Sequence, residues 1–151
     1  MIGRLLHWVC RSILGALFLY AGFTKLYPPD HQFLFEMAVS AYRLLPTWGV
    51  IVVARALPWL EVSLGLLLIL GWKLRYVAAF AALLLAGFLT AMTLTYFRGI
   101  ETDCGCFGLG EAISPWTLLR DSGILLMAVF LCVYAWRARP LATPAAAIQL
   151  E

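Results

Sequence analysis

The sequence predicts an all-α integral membrane protein: a bundle of four membrane-crossing helices, with an additional amphipathic helix on the outer face between the first and second crossings. Three observations carry this. Of 151 residues, 64% are hydrophobic and 13% charged, with a mean hydropathy of +0.91, whereas a soluble domain carries about a quarter charged residues. The apolar residues gather into four stretches of about 20, the length that spans a hydrocarbon layer of roughly 30 Å. Each stretch is apolar on every side, unlike the half-polar helices of a soluble bundle. The net charge of +3 is dispersed, and without a clustered basic patch among aromatics nothing supports nucleic-acid binding.

The first crossing runs from about Leu5 to Leu26. A cleaved signal peptide is the competing reading, since Arg4 precedes the apolar core, but the run is long and no small-x-small site closes it. Gly15 and Gly22 share a face on which another helix can come close. Pro28-Pro29 stops this helix, because proline has no N–H to continue the ladder. Over 31–45 the pattern changes: Gln32, Glu36, Ser40 and Arg43 make a polar stripe on an otherwise apolar helix, with Asp30 placed to cap it. That describes a helix lying in the interface or packed as a lid on the bundle.

The second crossing, 48–70, contains Arg55, Pro58 and Glu61. Charges at that depth cost several kcal/mol unless they pair or face a wet cavity. Two readings stay open: an ion pair of Glu61 with Arg55, Arg120 or Lys25 that fixes packing, or a polar pocket for a substrate headgroup or a proton. The third crossing spans 74–97, where Ala78, Ala82, Ala86 and Thr90 form a small-residue ladder suited to close packing. Ser114-Pro115 opens the fourth, 115–136, with a capping hydroxyl before a proline at the first helical position. Residues 1–137 thus read as one transmembrane domain, and the Pro- and Ala-rich 138–151 as a flexible cytoplasmic tail.

Four crossings place both termini on one side. Arg4, Arg11, Lys73, Arg75, Arg137 and Arg139 fall at one face, against Lys25, Arg43 and Arg98 at the other, so the positive-inside rule makes the first face cytoplasmic. In a bacterial inner membrane the loop 98–114 then faces the periplasm, where disulfides persist. That loop holds Cys104-Gly105-Cys106. The single glycine adds no side-chain bulk and tolerates almost any backbone angle, so two sulfurs can meet in a very short loop.

A thiol pair can be an inert staple, a metal site or an electron exchanger. A staple across so small a ring constrains little chain. A closed zinc site wants four ligands, and only His31 is at hand to help, so no resident metal is expected. A soft ion such as copper(I) or mercury(II) could take two thiolates, which makes a soft-metal binding or transport protein the alternative reading. Exchange is the leading one: a disulfide over one intervening residue is strained and readily reduced. Arg120 and Asp121 lie about 8 to 9 Å below the start of the last helix, near the depth where the loop settles. A guanidinium there favours a thiolate, and Asp121 or Asp103 could take or deliver the proton. Phe107 and Trp116, together with Glu61 and its neighbours Lys25 and Arg55, are candidates to hold a ubiquinone or menaquinone head. Cys10 and Cys132 sit at the opposite ends of their helices and read as packed hydrophobes.

The blocks Ala21-Gly22-Phe23-Thr24-Lys25-Leu26, Tyr42-Arg43-Leu44-Leu45-Pro46, Leu57-Pro58-Trp59-Leu60-Glu61, Asp103-Cys104-Gly105-Cys106-Phe107-Gly108 and Trp116-Thr117-Leu118-Leu119-Arg120-Asp121 occur here in that order. Together they resemble the MauE-like branch of the DoxX membrane proteins, over about residues 5 to 136. The resemblance implies a four-helix membrane protein that works with a periplasmic thioredoxin-like partner, in a branch associated with maturation of the disulfide-rich methylamine dehydrogenase. It also implies a distant similarity to vitamin K epoxide reductase, a thiol enzyme that uses a quinone. Those enzymes carry Cys-x-x-Cys and a second shuttle pair. This chain has no cysteine between Cys10 and Cys104, so any shuttle thiols must come from the partner.

Overall fold

A computed structural model describes residues 2–105 and 111–137, the side chains of Ile2 and Arg4 excepted. Cys106, Phe107 and the tail 138–151 lie outside the described residues. The architecture is all-helical: α1 (Ile2–Leu26), α2 (Asp30–Ala41), α3 (Thr47–Leu70), α4 (Leu74–Phe97) and α5 (Pro115–Arg137). All but α2 are long and apolar enough to cross a membrane, so the chain is a multi-pass membrane protein. Large apolar side chains such as Leu70, Leu83 and Leu126 stand exposed around the bundle, where hydrocarbon rather than water is the solvent.

The helices pack chiefly as two pairs, α1 on α3 and α4 on α5. The first pair is held close by glycine, as the spacing of Gly15 and Gly22 predicts. A Cβ on Gly22 would meet the Pro58 carbonyl oxygen at 2.8 Å, and one on Gly65 would meet that of Gly15 at 2.8 Å. The alanine ladder of α4 performs less than its spacing suggests: Ala78 is fully buried, but Thr90 is exposed and the buried stripe turns toward Ala81, Met92 and Thr95. A central core of Leu14, Phe18, Leu64, Leu68, Ala78 and Ala128 joins the two pairs.

At one end of the bundle the start of α1 meets the end of α5, where His7 stacks on Tyr134. At the same end Arg11 donates to the Ile69 carbonyl, at the C-terminal turn of α3. At the other end α1 stops well short of α3, because Pro28-Pro29 breaks it. The α3 turns that project beyond α1 are covered by α2, which packs Phe35 and Val39 against Val50, Ala54 and Leu57. Of the two roles foreseen for α2, the lid is the one its packing fits.

Two local expectations for α2 are corrected. It begins at Asp30 itself, after Pro29, and no side chain caps it; Pro29 has the fixed φ that a helix start needs. It ends at Ala41 rather than residue 45, because Arg43 turns into the left-handed region at φ 50° and the chain must straighten before Pro46. The start of α5 follows expectation: the Thr117 N–H donates to Ser114 Oγ at 3.2 Å, and the Ser114 N–H donates back to Thr117 Oγ1 at 2.8 Å.

Candidate functional site: a buried thiol over a charged cavity

The described arms of the loop between α4 and α5 are pinned together. The Cys104 N–H donates to the Glu111 carbonyl at 2.7 Å and the Ile113 N–H to that of Thr102 at 3.0 Å, around a single antiparallel bridge, Asp103 to Ala112. Tyr42, at the end of α2, donates its hydroxyl to the Cys104 carbonyl at 2.7 Å. Gly105 has φ +67°, and a Cβ there would stand 3.2 Å from the Phe35 ring. The glycine between the cysteines is therefore required twice, by its backbone angle and by close approach.

Cys104 itself is 1% exposed, packed with Tyr42 and Met92 and flanked by Ala91, Ile113 and Leu118. Its sulfur lies 3.8 Å from Glu111 Oε2 and 4.0 Å from Arg120 Nη2. Arg120 binds Glu111 through Nη1 at 2.7 and 3.0 Å and holds Asp121 Oδ1 through Nε at 3.0 Å. The guanidinium thus ties both carboxylates together beside the sulfur, in charge-assisted hydrogen bonds.

Beneath this cluster lies a second one. Lys25 Nζ reaches both Glu61 oxygens at 2.8 Å, with side chains 3% and 7% exposed. Of the partners foreseen for Glu61, Lys25 is the one the fold supplies, because α1 ends level with the middle of α3. The Lys25 ammonium also lies 5.2 Å from the centroid of the Phe35 ring on which Gly105 rests. Glu61 and Asp121 both line a cavity of about 40 Å³ between α1, α3, α4 and α5. Asp121 is 6% exposed, and its Oδ2 has no hydrogen-bond partner among the described residues.

The site residues foreseen from sequence therefore separate into groups. Cys104, Arg120 and Asp121 converge, and Lys25 and Glu61 join them across the cavity. Arg55 is exposed on α3, and Trp116 is 72% exposed at the start of α5; neither reaches the cavity. Cys106 and Phe107 lie outside the described residues. Glu111 and Tyr42 were not foreseen as site residues. The sequence signal for Glu111 is the glycine-rich composition of 107–110, which favours a turn between it and Cys104; the bridge from Asp103 to Ala112 sets the two side by side.

The family model described as methylamine utilisation protein MauE matches residues 3–134. The MauE protein of Paracoccus denitrificans is 32% identical over 148 residues, covering 96% of this chain and 76% of that protein. The Paracoccus versutus MauE is 34% identical over 139 residues, covering 90% and 73%. No solved structure matches the chain. A model match through nearly all of the bundle, with relatives aligned along most of their own length, shows that the chain belongs to the MauE family.

Proposed function

We propose that the chain is a membrane thiol-disulfide oxidoreductase. In this reading it exchanges a disulfide with a periplasmic thioredoxin-like partner and thereby serves the maturation of a periplasmic client such as methylamine dehydrogenase. The observation that carries it is the Cys104 sulfur set between a carboxylate at 3.8 Å and a guanidinium at 4.0 Å. The family's association with methylamine utilisation supports the client class.

Burial divides the labour. A sulfur that is 1% exposed is out of reach of another protein's disulfide, so Cys106 carries the mixed disulfide and Cys104 resolves it. In resolution the Cys104 S–H bond breaks and its proton goes to Glu111. The Cys104 sulfur bonds that of Cys106, the bond from Cys106 to the partner breaks, and the departing partner sulfur takes up a proton as a thiol. Arg120 favours the attacking thiolate, and Asp121 positions Arg120. The reverse sequence reduces the pair and oxidises the partner. When bound, a membrane quinone would supply the two-electron, two-proton acceptor for such a cycle; Asp121, at the cavity beside Glu61, would accept a hydrogen bond from the hydroxyl of its reduced head.

Trapping tests the assignment. With Cys104→Ala, the thioredoxin-like partner is held covalently through Cys106 and is released by reductant; with Cys106→Ala, nothing is held. Equal trapping by both variants, or by neither, overturns the reading. A soft-metal carrier built on the same pair instead loses metal accumulation and traps no protein.

A further inference from the structure

A groove of about 460 Å³ opens between α3 and α4, the helix pair that packs less closely than α1 on α3 or α4 on α5. Its walls include Tyr42, Val53, Phe80, Leu83, Gly87 and Ala91. The size is that of a small-molecule site, and the exposed Phe80 and Leu83 set its mouth among the membrane-facing side chains of α4. Two of its walls also hold the thiol: Tyr42 donates to the Cys104 carbonyl, and Ala91 packs beside Cys104.

The groove and the charged cavity share Leu84 and Phe88, so the two spaces adjoin at these side chains. In the lining of the cavity Asp121 is 6% exposed, with Oδ2 lacking a donor among the described residues. A carboxylate oxygen buried in that way is costly unless a hydrogen-bond donor reaches it. The other charged groups around it are already engaged: Lys25 with Glu61 from α1 and α3, and Arg120 with Glu111 and Asp121 Oδ1. The combined space therefore asks for a ligand with an apolar body, a route in from the bilayer and an O–H or N–H at its head.

We propose that groove and cavity together bind a membrane-dissolved hydroquinone, one ring hydroxyl donating to Asp121 Oδ2 and the apolar tail leaving between α3 and α4. An acyl chain fits the groove but leaves Asp121 without a donor. The choice of a hydroquinone among donor-bearing lipids rests on the exchange reading: a dithiol passing to a disulfide releases two electrons and two protons, and a quinone takes up the same to become the hydroquinone. The binding geometry does not depend on that reading.

The test is equilibrium binding of a radiolabelled decyl-hydroquinone to the full chain in lipid nanodiscs, beside its dimethyl ether, which has the same body and no O–H. The hydroquinone binds saturably and the ether about tenfold more weakly or worse, the effect of losing one hydrogen bond to a charged acceptor. Gly87→Trp removes the saturable binding; a Cβ at Gly87 has nothing within 4 Å, so the plug fills the groove without striking the fold. Equal binding of hydroquinone and ether by the wild-type chain, or saturable binding that survives a folded Gly87→Trp, overturns the site. The titration reads no sulfur chemistry, so its failure is distinguishable from failure of partner trapping.

Discussion

Lys25 and Glu61 meet at 2.8 Å with almost no exposure, and this pair illustrates how a side chain that is costly alone becomes tolerable in company. Each charge is expensive inside a bilayer unless paired. Removing one partner strands the other, so Lys25→Met or Glu61→Leu is expected to destabilise the bundle by about 3–5 kcal/mol, and Lys25→Met with Glu61→Leu by clearly less than either change alone. Unfolding free energies in mixed micelles, read as a double-mutant cycle, check this; additive losses would remove the pair from the account. At the same scale, the sequence makes Gly105 legible and Glu111 nearly illegible. The need for a glycine between two cysteines follows from sterics alone, whereas the role of Glu111 depends on which strand the loop folds back upon.

The helices show the same division. Four long apolar runs and their stops at Pro28-Pro29, Gly71 and Ser114-Pro115 are local properties, and the observed α1, α3, α4 and α5 differ from expectation by three residues or fewer at each end. Helix α2 is harder to read, since its expected last turn is cut by a left-handed Arg43 that no periodicity announces. Pairing between helices is harder still: the α4 ladder looks like a packing face, yet the tightest approach is made by α1 on α3. This yields a prediction. Gly65→Leu drives carbon into the Gly15 carbonyl and the Leu19 backbone, both within 2.9 Å of a Cβ, and is expected to cost about 1–3 kcal/mol, as overpacking does. Gly123→Leu, on a glycine with nothing within 4 Å, is expected to leave thermal unfolding in the same micelles near that of the wild type. Equal losses would place the contact between α1 and α3 elsewhere.

Across the whole molecule, the positive-inside count leads us to expect the face with Arg11, Lys73, Arg75 and Arg137 on the cytoplasmic side, and the proposed chemistry needs the thiol loop on the opposite side. A membrane-impermeant maleimide is therefore expected to label Cys106 in intact spheroplasts, while tags on both termini react only after lysis. The opposite pattern would end the periplasmic exchange scheme, since the partner and client would lie across the membrane from the sulfurs. A bundle of two tight helix pairs with a looser seam between α3 and α4 also sets where a lipid-soluble reactant can enter.

Sequence by itself determined the class, the number of crossings, the lone thiol-rich loop and the family, because all of these depend on composition, run length and motif order along one chain. It also narrowed the partner of Glu61 to a short set of cations. Only the tertiary structure decided that Lys25 is that partner, that Cys104 is buried against Tyr42 and Arg120, and that Asp121 and Glu61 face one cavity while Arg55 and Trp116 point away. The physical reason is rotation and offset. A helix apolar on every side carries no periodic mark of which face turns inward, and how far one helix slides along another is set by close contacts between residues distant in the chain.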